Sequence, residues 1–325
     1  MTHWTIEPRH LDRAARAVGH RVLLTPLIPA PSLGPRVWLK LETDQVTGSF
    51  KVRGALARLE VMTPAERRRG VVAASAGNHG LGLAEAGQRL GVGVRVYVPK
   101  GTPLVKRDGI AARGAVVVVI DDEGYDAAEA AARGAAKELD ALFVSPFDDP
   151  YVAAGNGGTL GAEILDQLPD VAAIVAPVGG GGLVAGLGAA RDAAGSAAKI
   201  YGVQSEACPA MRRSLEEGSA ILTLAATEPT LAEGLEGGVT EASLAAVRGA
   251  VERVDLVSEA QIAEAMRFAH DKLGVTVEGS AATVIAWAQA HGKKVDEELP
   301  AGGAIVLVVT GSNVDDDVRR RILLG

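Results

Sequence analysis

The sequence has a single cysteine, Cys208, in 325 residues. One thiol excludes an internal disulfide and every cysteine-paired zinc motif, and it fits a reducing compartment. Cys208 itself reads as an ordinary small residue. An excess of positive charge is also missing, because 33 basic and 40 acidic residues give 33 − 40 = −7. The summed field repels phosphate polymers and anionic membrane faces, so neither nucleic acid nor a membrane surface is an expected partner. The start, Met1 to His10, lacks a basic region followed by an apolar stretch. No signal peptide is read there, and a cytoplasmic location is expected. Residues 171–190 carry no charge and are long enough to raise the question of a membrane span. They contain Pro177 and four successive glycines, however, and each glycine costs a helix about 1 kcal/mol relative to alanine. A buried strand, a loop and a buried helix account for them better. Fixed-period repeats, heptads and low-complexity tails are absent. So are the G-x-x-x-x-G-K-[ST] of phosphate-loop nucleotidases, the G-x-S-x-G of serine hydrolases and the zincin helix.

What is present is an alternation of short β-branched runs with alanine-rich helical segments. The runs are Val37–Leu41, Val71–Ala74, Val94–Val98, Val116–Ile120, Ala172–Val178, Lys199–Val203 and Ala304–Val309. Strands that read as continuous apolar runs are covered on both faces, which predicts an α/β protein with parallel sheets wrapped by helices. The length suits two such sheets. Residues from Val71 to about Val144 supply one set of units and the chain from Asp149 onward another. The first sixty or so residues could join either lobe. Charged runs such as Glu66-Arg67-Arg68-Arg69 and Asp315-Asp316-Asp317 read as solvated ends or turns.

Lys51 stands at a predicted helix start in Thr47-Gly48-Ser49-Phe50-Lys51-Val52-Arg53-Gly54-Ala55. Thr47 or Ser49 can cap that helix, and Val52, Ala55, Leu56 and Leu59 follow at the spacing of a buried face. The helix dipole and partial burial both disfavour the ammonium form there, leaving an amine able to form an imine. The plainer alternative is a lysine whose stem packs on the core while its head reaches water. Gly179-Gly180-Gly181-Gly182 follows a strand and precedes a helix, the arrangement of a phosphate cradle. Gly180, Gly182 and Ala185 also satisfy G-x-G-x-x-A, with Glu206 placed as a ribose-binding acid, so a nicotinamide dehydrogenase is the rival reading. Ser75-Ala76-Gly77-Asn78-His79-Gly80 forms a second anion-ready turn, where backbone N–H groups could hold a carboxylate and the Asn78 amide a phenolate. His79 reads equally as a helix-start histidine bonded to backbone. Thr310, in Thr310-Gly311-Ser312-Asn313, follows the last strand and points its hydroxyl into the crevice, unless it is a plain helix cap.

An imine-capable lysine, a phosphate loop, a carboxylate-holding turn and a hydroxyl at a strand end are together what pyridoxal phosphate requires. In that order, and with Phe147-Asp148-Asp149-Pro150 and Pro177-Val178-Gly179-Gly180-Gly181-Gly182-Leu183, the chain resembles the fold-type II pyridoxal phosphate enzymes. The specific likeness is to the threonine/serine dehydratase and serine racemase group. It implies two doubly wound domains like those of the tryptophan synthase β subunit. Residues 1–63 plus 149–325 would form the large cofactor-binding domain and 64–148 the small one, with the cofactor in the cleft between them. It also implies that Lys51 holds the cofactor, Phe50 packs beside its ring and Asn78 meets its ring oxygen. Gly179, Gly180, Gly181 and Gly182 would bind the phosphate and Thr310 the pyridine nitrogen. Ser75, Ala76, Gly77, Asn78 and His79 would grip the substrate carboxylate.

The implied reaction is loss of water from a β-hydroxy amino acid, such as L-threonine or L-serine, to give a keto acid and ammonia. Lys51 would be the base and the cofactor phosphate the acid. Glu278 sits where the family has an acidic residue near the substrate. Ala76 replaces the serine that racemases of the group present to the opposite face of the α-carbon, which favours dehydration over racemisation. Metal-dependent relatives have carboxylates at the positions of Gln204 and Ala210, so no divalent ion is expected there. The loop Thr230–Gly238, with its glutamates and extra glycines, bears on substrate choice. The chain ends soon after the Thr310 loop, so a regulatory domain is not expected, and a homodimer is.

Overall fold

The structure is a computed structural model describing residues 4–122, 124–299 and 302–324. Met1, Thr2 and His3, part of the start read above, lie outside the described residues. Among the described residues ten strands fall into two sheets: β1 (Leu27–Pro29), β2 (Val37–Leu41), β3 (Val71–Ala74), β4 (Val94–Val98), β5 (Val116–Val119), β6 (Leu142–Phe143), β7 (Val171–Pro177), β8 (Lys199–Ser205), β9 (Arg253–Val257) and β10 (Ala304–Val309). The larger sheet runs β1-β2-β10-β7-β8-β9 and the smaller β5-β4-β3-β6. All pairings are parallel except β1 with β2, as continuous apolar runs joined by helices predict.

Side-chain alternation divides the larger sheet's core into two layers. Ile305, Leu307 and Val309 of β10 face a cluster with Val175, Tyr201, Val203 and the fully buried Trp287. Val306 and Val308 face the other way, onto Leu160, Ile164, Val184 and Leu187. The smaller sheet packs Val71, Ala73, Val94 and Val96 against Val52, Leu56, Leu59 and Leu83 on one face. Its other face is thinner, with Val72 and Ala74 against Ala128, Ala132 and Ala136. Among the described residues no helix is long and apolar enough to cross a membrane.

The segment around Lys51 connects the two sheets. β2 belongs to the larger sheet, yet the helix Lys51–Glu60 that follows it buries Val52, Ala55, Leu56 and Leu59 in the core of the smaller one. Neither Thr47 nor Ser49 caps this helix. Phe50 is the capping residue, itself in the helical region, and no side-chain cap bond forms. The reason is a tertiary tie: the Phe50 N–H donates to Thr310 O at 3.1 Å and Ser49 bridges Gly311, so the segment serves the exit of β10. The short strands β1, β6 and β9 were not expected. The first two hold three and two residues, and β9 carries Arg253 and Asp255 in its alternation.

Two residues beyond Lys51, Arg53 is fully buried and held on every side. Its guanidinium donates to both Glu42 oxygens at 2.8 Å and to Glu163 at 2.6 and 2.9 Å. Buried Lys40 completes the group, 3.0 Å from Glu163 and bonded to Thr25 O and Gln167. Burial works against the Arg53 charge, but Glu42 and Glu163 outweigh it and raise the pKa above the ordinary guanidinium value.

Candidate active site

Lys51 is the first residue of its helix, and its Nζ lies 3.3 Å from Pro146 O and 5.1 Å from the centre of the Phe50 ring. Burial lowers its pKa to about 8, with the Glu278 carboxylate opposing the shift. Near neutral pH an appreciable fraction of this amine is therefore unprotonated, which both imine chemistry and proton abstraction demand.

The glycine tetrad begins two residues past β7 and runs into the helix Gly182–Ala193. Gly181 has φ +92°, which an L side chain rarely adopts. Its neighbours have no room for one: a Cβ on Gly180 would run into the Phe147 ring, one on Gly182 would lie 3.0 Å from Phe147 O, and one on Gly179 would lie 3.2 Å from Gly234 O. The loop is thus a backbone-only surface at a helix start, the kind of place where an anion is bound by N–H groups. Lys51 touches Pro146, and the next residue, Phe147, touches the tetrad, so one dipeptide separates the amine from the anion cradle.

The turn after β3 places Ser75 through Gly77 between the strand and the helix Asn78–Leu90. Gly77 N–H donates to Ser75 Oγ at 3.2 Å, and Ala76 packs at the edge of the smaller core. The His79 ring turns inward, donating Nε2–H to Val144 O at 3.0 Å. Burial, with Lys51 adding to it, pushes its pKa down to about 3 while the Val144 bond opposes. His79 is therefore neutral, and what it offers a ligand in this turn is backbone. The Asn78 side chain donates to Glu278 Oε1 and Oε2 at 2.8 and 3.0 Å and accepts from Asn313 Nδ2 at 2.7 Å.

Thr310, 2% exposed, stands one residue past β10, and its carbonyl receives the Phe50 N–H. Beside it, the buried Ser49 hydroxyl has no hydrogen-bond partner among the described residues. Glu278 N–H donates to Gly311 O at 3.1 Å. The carboxyl of Glu278 is raised to about 7 by burial, against the pull of Asn78, Lys51, the Asn313 backbone and Lys106.

Lys51, Phe50, Asn78 and the Thr310 loop thus converge on one place, with the tetrad across the Pro146-Phe147 segment. Four contributors carried no assigned role in the sequence: Pro146 and Phe147, Asn313, and Lys106. The Lys106 ammonium bridges Glu233 at 3.2 Å and Asp315 at 3.1 Å, so Asp315 is an ion-pair partner rather than the solvated surface it reads as. Pro146, Phe147 and Asn313 lie just past strand ends, where ligands bind in parallel sheets, and that position is the signal that could have found them; Lys106 stands within the helix Leu104–Ala111 and carries no such signal. Gln204 is buried, with Oε1 accepting from Arg212 N–H at 2.9 Å. No group of three or more His, Cys, Asp or Glu is arranged to hold a metal among the described residues.

Comparison with known proteins agrees with this geometry. An L-threonine ammonia-lyase from Thermotoga maritima is 37% identical over 323 residues, covering 97% of this chain and 77% of that protein. Maize serine racemase superposes with a TM-score of 0.90 at 26% identity, covering 99% of this chain and 98% of that one. The processed threonine deaminase isoform 2 of Solanum lycopersicum superposes with a TM-score of 0.88 at 30% identity, covering 99% and 95%. The family described as pyridoxal-phosphate dependent enzymes matches residues 20–311, spanning every element of the site from β2 to Gly311. A lysine amine of lowered pKa facing a glycine cradle is what that cofactor needs, and the chain belongs to the pyridoxal-phosphate dependent enzymes.

Proposed function

We propose that this enzyme is an ammonia-lyase that removes water from a β-hydroxy amino acid of the L-threonine or L-serine kind, yielding a keto acid and ammonia. The observation that carries the proposal is the Lys51 amine, lowered to about 8 by burial and one dipeptide from the glycine tetrad. The relatives named as threonine ammonia-lyase and threonine deaminase support the choice of substrate.

Lys51 is the residue that holds the cofactor and, once free, takes the α-proton at Nζ. The backbone N–H groups of Gly179 to Gly182 hold the phosphate, with the helix start behind them. Asn78 would offer an amide N–H to the ring oxygen, and Phe50 would pack beside the ring. The turn Ser75, Ala76, Gly77, Asn78 and His79 holds the substrate carboxylate by backbone. Pyridoxal phosphate, when bound, supplies the electron sink for the α-carbanion. Thr310 would meet the ring nitrogen with a neutral hydroxyl, which, unlike a carboxylate, would not hold a proton there, and that favours loss of the β-hydroxyl over transamination. One water leaves as the C–O bond breaks, and one returns when the resulting enamine hydrolyses to keto acid and ammonia. Ala76 offers no hydroxyl for reprotonating the opposite face, which supports dehydration over racemisation despite the likeness to a serine racemase.

Residues 1–63 plus 149–325 as cofactor-binding domain and 64–148 as small domain is the division this reading uses. The membership of β1, β2 and β7 to β10 in one sheet supports it. A cytoplasmic homodimer is its expected working form, to be checked by sedimentation. The deciding experiment is a keto-acid and ammonia assay across L- and D-β-hydroxy amino acids. Equal yields of keto acid and ammonia from an L-substrate uphold the proposal. D-serine formed from L-serine without keto acid would overturn it.

A further inference from the structure

Glu278 directly precedes the helix Gly279–Glu298, where an acidic side chain would ordinarily fold back onto the helix's own N–H groups. It does not do so. Its carboxylate reaches across to Asn78, 200 residues away in the chain, with both oxygens within 3.0 Å of the amide nitrogen. Room for this is left by Gly311, where a Cβ would sit 2.8 Å from Glu278 Oε1.

The direction of every bond in this group follows from one anchor. Thr47 O is a backbone carbonyl and can only accept, so the Asn313 side-chain atom 2.8 Å away is its NH₂. That same nitrogen lies 2.7 Å from the Asn78 side chain, which must therefore turn its oxygen toward Asn313. The Asn78 NH₂ is left facing Glu278, which as a carboxylate can only accept. A backbone carbonyl, two amides and a carboxylate thus set the Asn78 amide in one of its two flip states.

We propose that Glu278 is a positioning residue that acts through Asn78: with Asn313 it fixes the flip state of the amide, one Asn78 N–H being shared by the two Glu278 oxygens so that the other would be available to the ring oxygen of the cofactor, and its ionisation tunes that contact. This rests on the assignment of Asn78 to the cofactor in the function proposed above. Protonated Glu278 would bring an O–H toward an NH₂ that cannot accept it, so one of the two contacts is lost and the amide is released on that side. The charged groups facing Glu278 are Lys51 from the Lys51–Glu60 helix and Lys106 from the helix Leu104–Ala111. Both favour the carboxylate, while burial opposes it; in the cofactor-free protein the balance falls at about 7, and it shifts once Lys51 is bound to the cofactor and no longer a free ammonium.

The test is the visible spectrum of the pyridoxal phosphate-loaded enzyme titrated from pH 5.5 to 8.5, in the wild type, Glu278→Gln and Glu278→Ala. The wild-type band is expected to shift through a single transition within this range. Glu278→Gln keeps an acceptor oxygen for Asn78 but cannot ionise, so it should retain the cofactor and lose the transition. Glu278→Ala should loosen the cofactor by about tenfold in dissociation constant, because a buried donor loses its partner. A Glu278→Gln titration identical to that of the wild type overturns the proposal, whether or not Glu278→Ala folds. A wild-type band that is pH-invariant across the range does the same. A protein that stays colourless with pyridoxal phosphate overturns the site assignment as well, which separates the two failures.

Discussion

Two buried charge groups begin two residues apart on one helix, and they are built in opposite ways. Around Arg53 every charge is matched: Glu42 and Glu163 take four of its hydrogen bonds, and Lys40 pairs with Glu163 from the other side. Around Lys51 nothing is matched. Its Nζ has a carbonyl at 3.3 Å, its nearest charged influence is Glu278, and burial drives the two groups' pKa values toward each other, to about 8 and about 7. Glu42 and Glu163 hold the Arg53 guanidinium above its ordinary value, so Arg53 keeps its charge and its role is structural. An unmatched pair titrates near neutrality, where proton transfer is useful. The helix thus carries a structural cation and a chemical one within its first turn, pointing to different sides of the helix.

The sharpest way to break this comparison is to remove each cation in turn. Lys51→Ala is expected to lower keto-acid formation by more than about a thousandfold, since it removes a general base and the cofactor's anchor together. The denaturation midpoint should stay level or rise, because the lost ammonium was disfavoured by burial. Arg53→Ala should do the reverse in equilibrium unfolding. Glu42 would be left fully buried with the Thr25 hydroxyl but without the cation bonded to it, and breaking such a group destabilises by about 3–5 kcal/mol. Equal stability losses in the two variants would show that the contrast is not real.

The sequence exposed one half of this contrast and hid the other. Lys51 was legible because it sits in a run of recognisable neighbours, and the tetrad because four glycines after a strand have few uses. Seven of the strands were legible from their β-branched runs, the parallel order following from the lack of polar alternation. Arg53 stands in the same quoted run, but its partners are at positions 42 and 163, and no spacing connects them. Asn78 and Glu278 meet only because β3 and β10 end beside the same crevice. β1, β6 and β9 stayed hidden because strands of two or three residues, or with charges in the alternation, fall below the periodic signal. Tertiary pairing, rather than local propensity, decides all of these.

A finer measurement separates the two groups by pH in the cofactor-free protein. Glu278 binds a proton more tightly folded than unfolded, its pKa rising from the ordinary 4.5 to about 7. Across that window the native state holds more protons than the unfolded one, so the Glu278 contribution to stability falls as pH rises. Lys51 runs the other way in a higher window, from about 8 to 10.5, where the unfolded state holds the extra proton and stability rises with pH. The Arg53 pKa lies above both windows, so Arg53 contributes no slope to either. Melting curves of Glu278→Gln against wild type should therefore diverge between pH 4.5 and 7, the variant gaining ground as pH rises. Parallel curves would mean that the Glu278 carboxyl is not held above its ordinary range.

The smallest expected effect concerns a third cation, intermediate between the other two. Lys106 lies on the helix packed beside the Asn78 helix, and it ties Glu233 of the Thr230–Gly238 loop to Asp315 of the Thr310 loop. It has two carboxylates, as a matched charge should, but Glu233 is 63% exposed and water screens the pair. Such a clasp is worth about 0.2–1 kcal/mol, little enough to open and close at each turnover. Lys106→Ala should leave the melting temperature almost unchanged and raise KM for the amino acid by about two- to fivefold, with kcat little altered. Added salt should raise the wild-type KM toward that of the variant, because it screens the same interaction. A variant in which kcat falls while KM and its salt dependence stay at the wild-type values would place Lys106 with Lys51, as a residue of the chemical step rather than of the clasp around it.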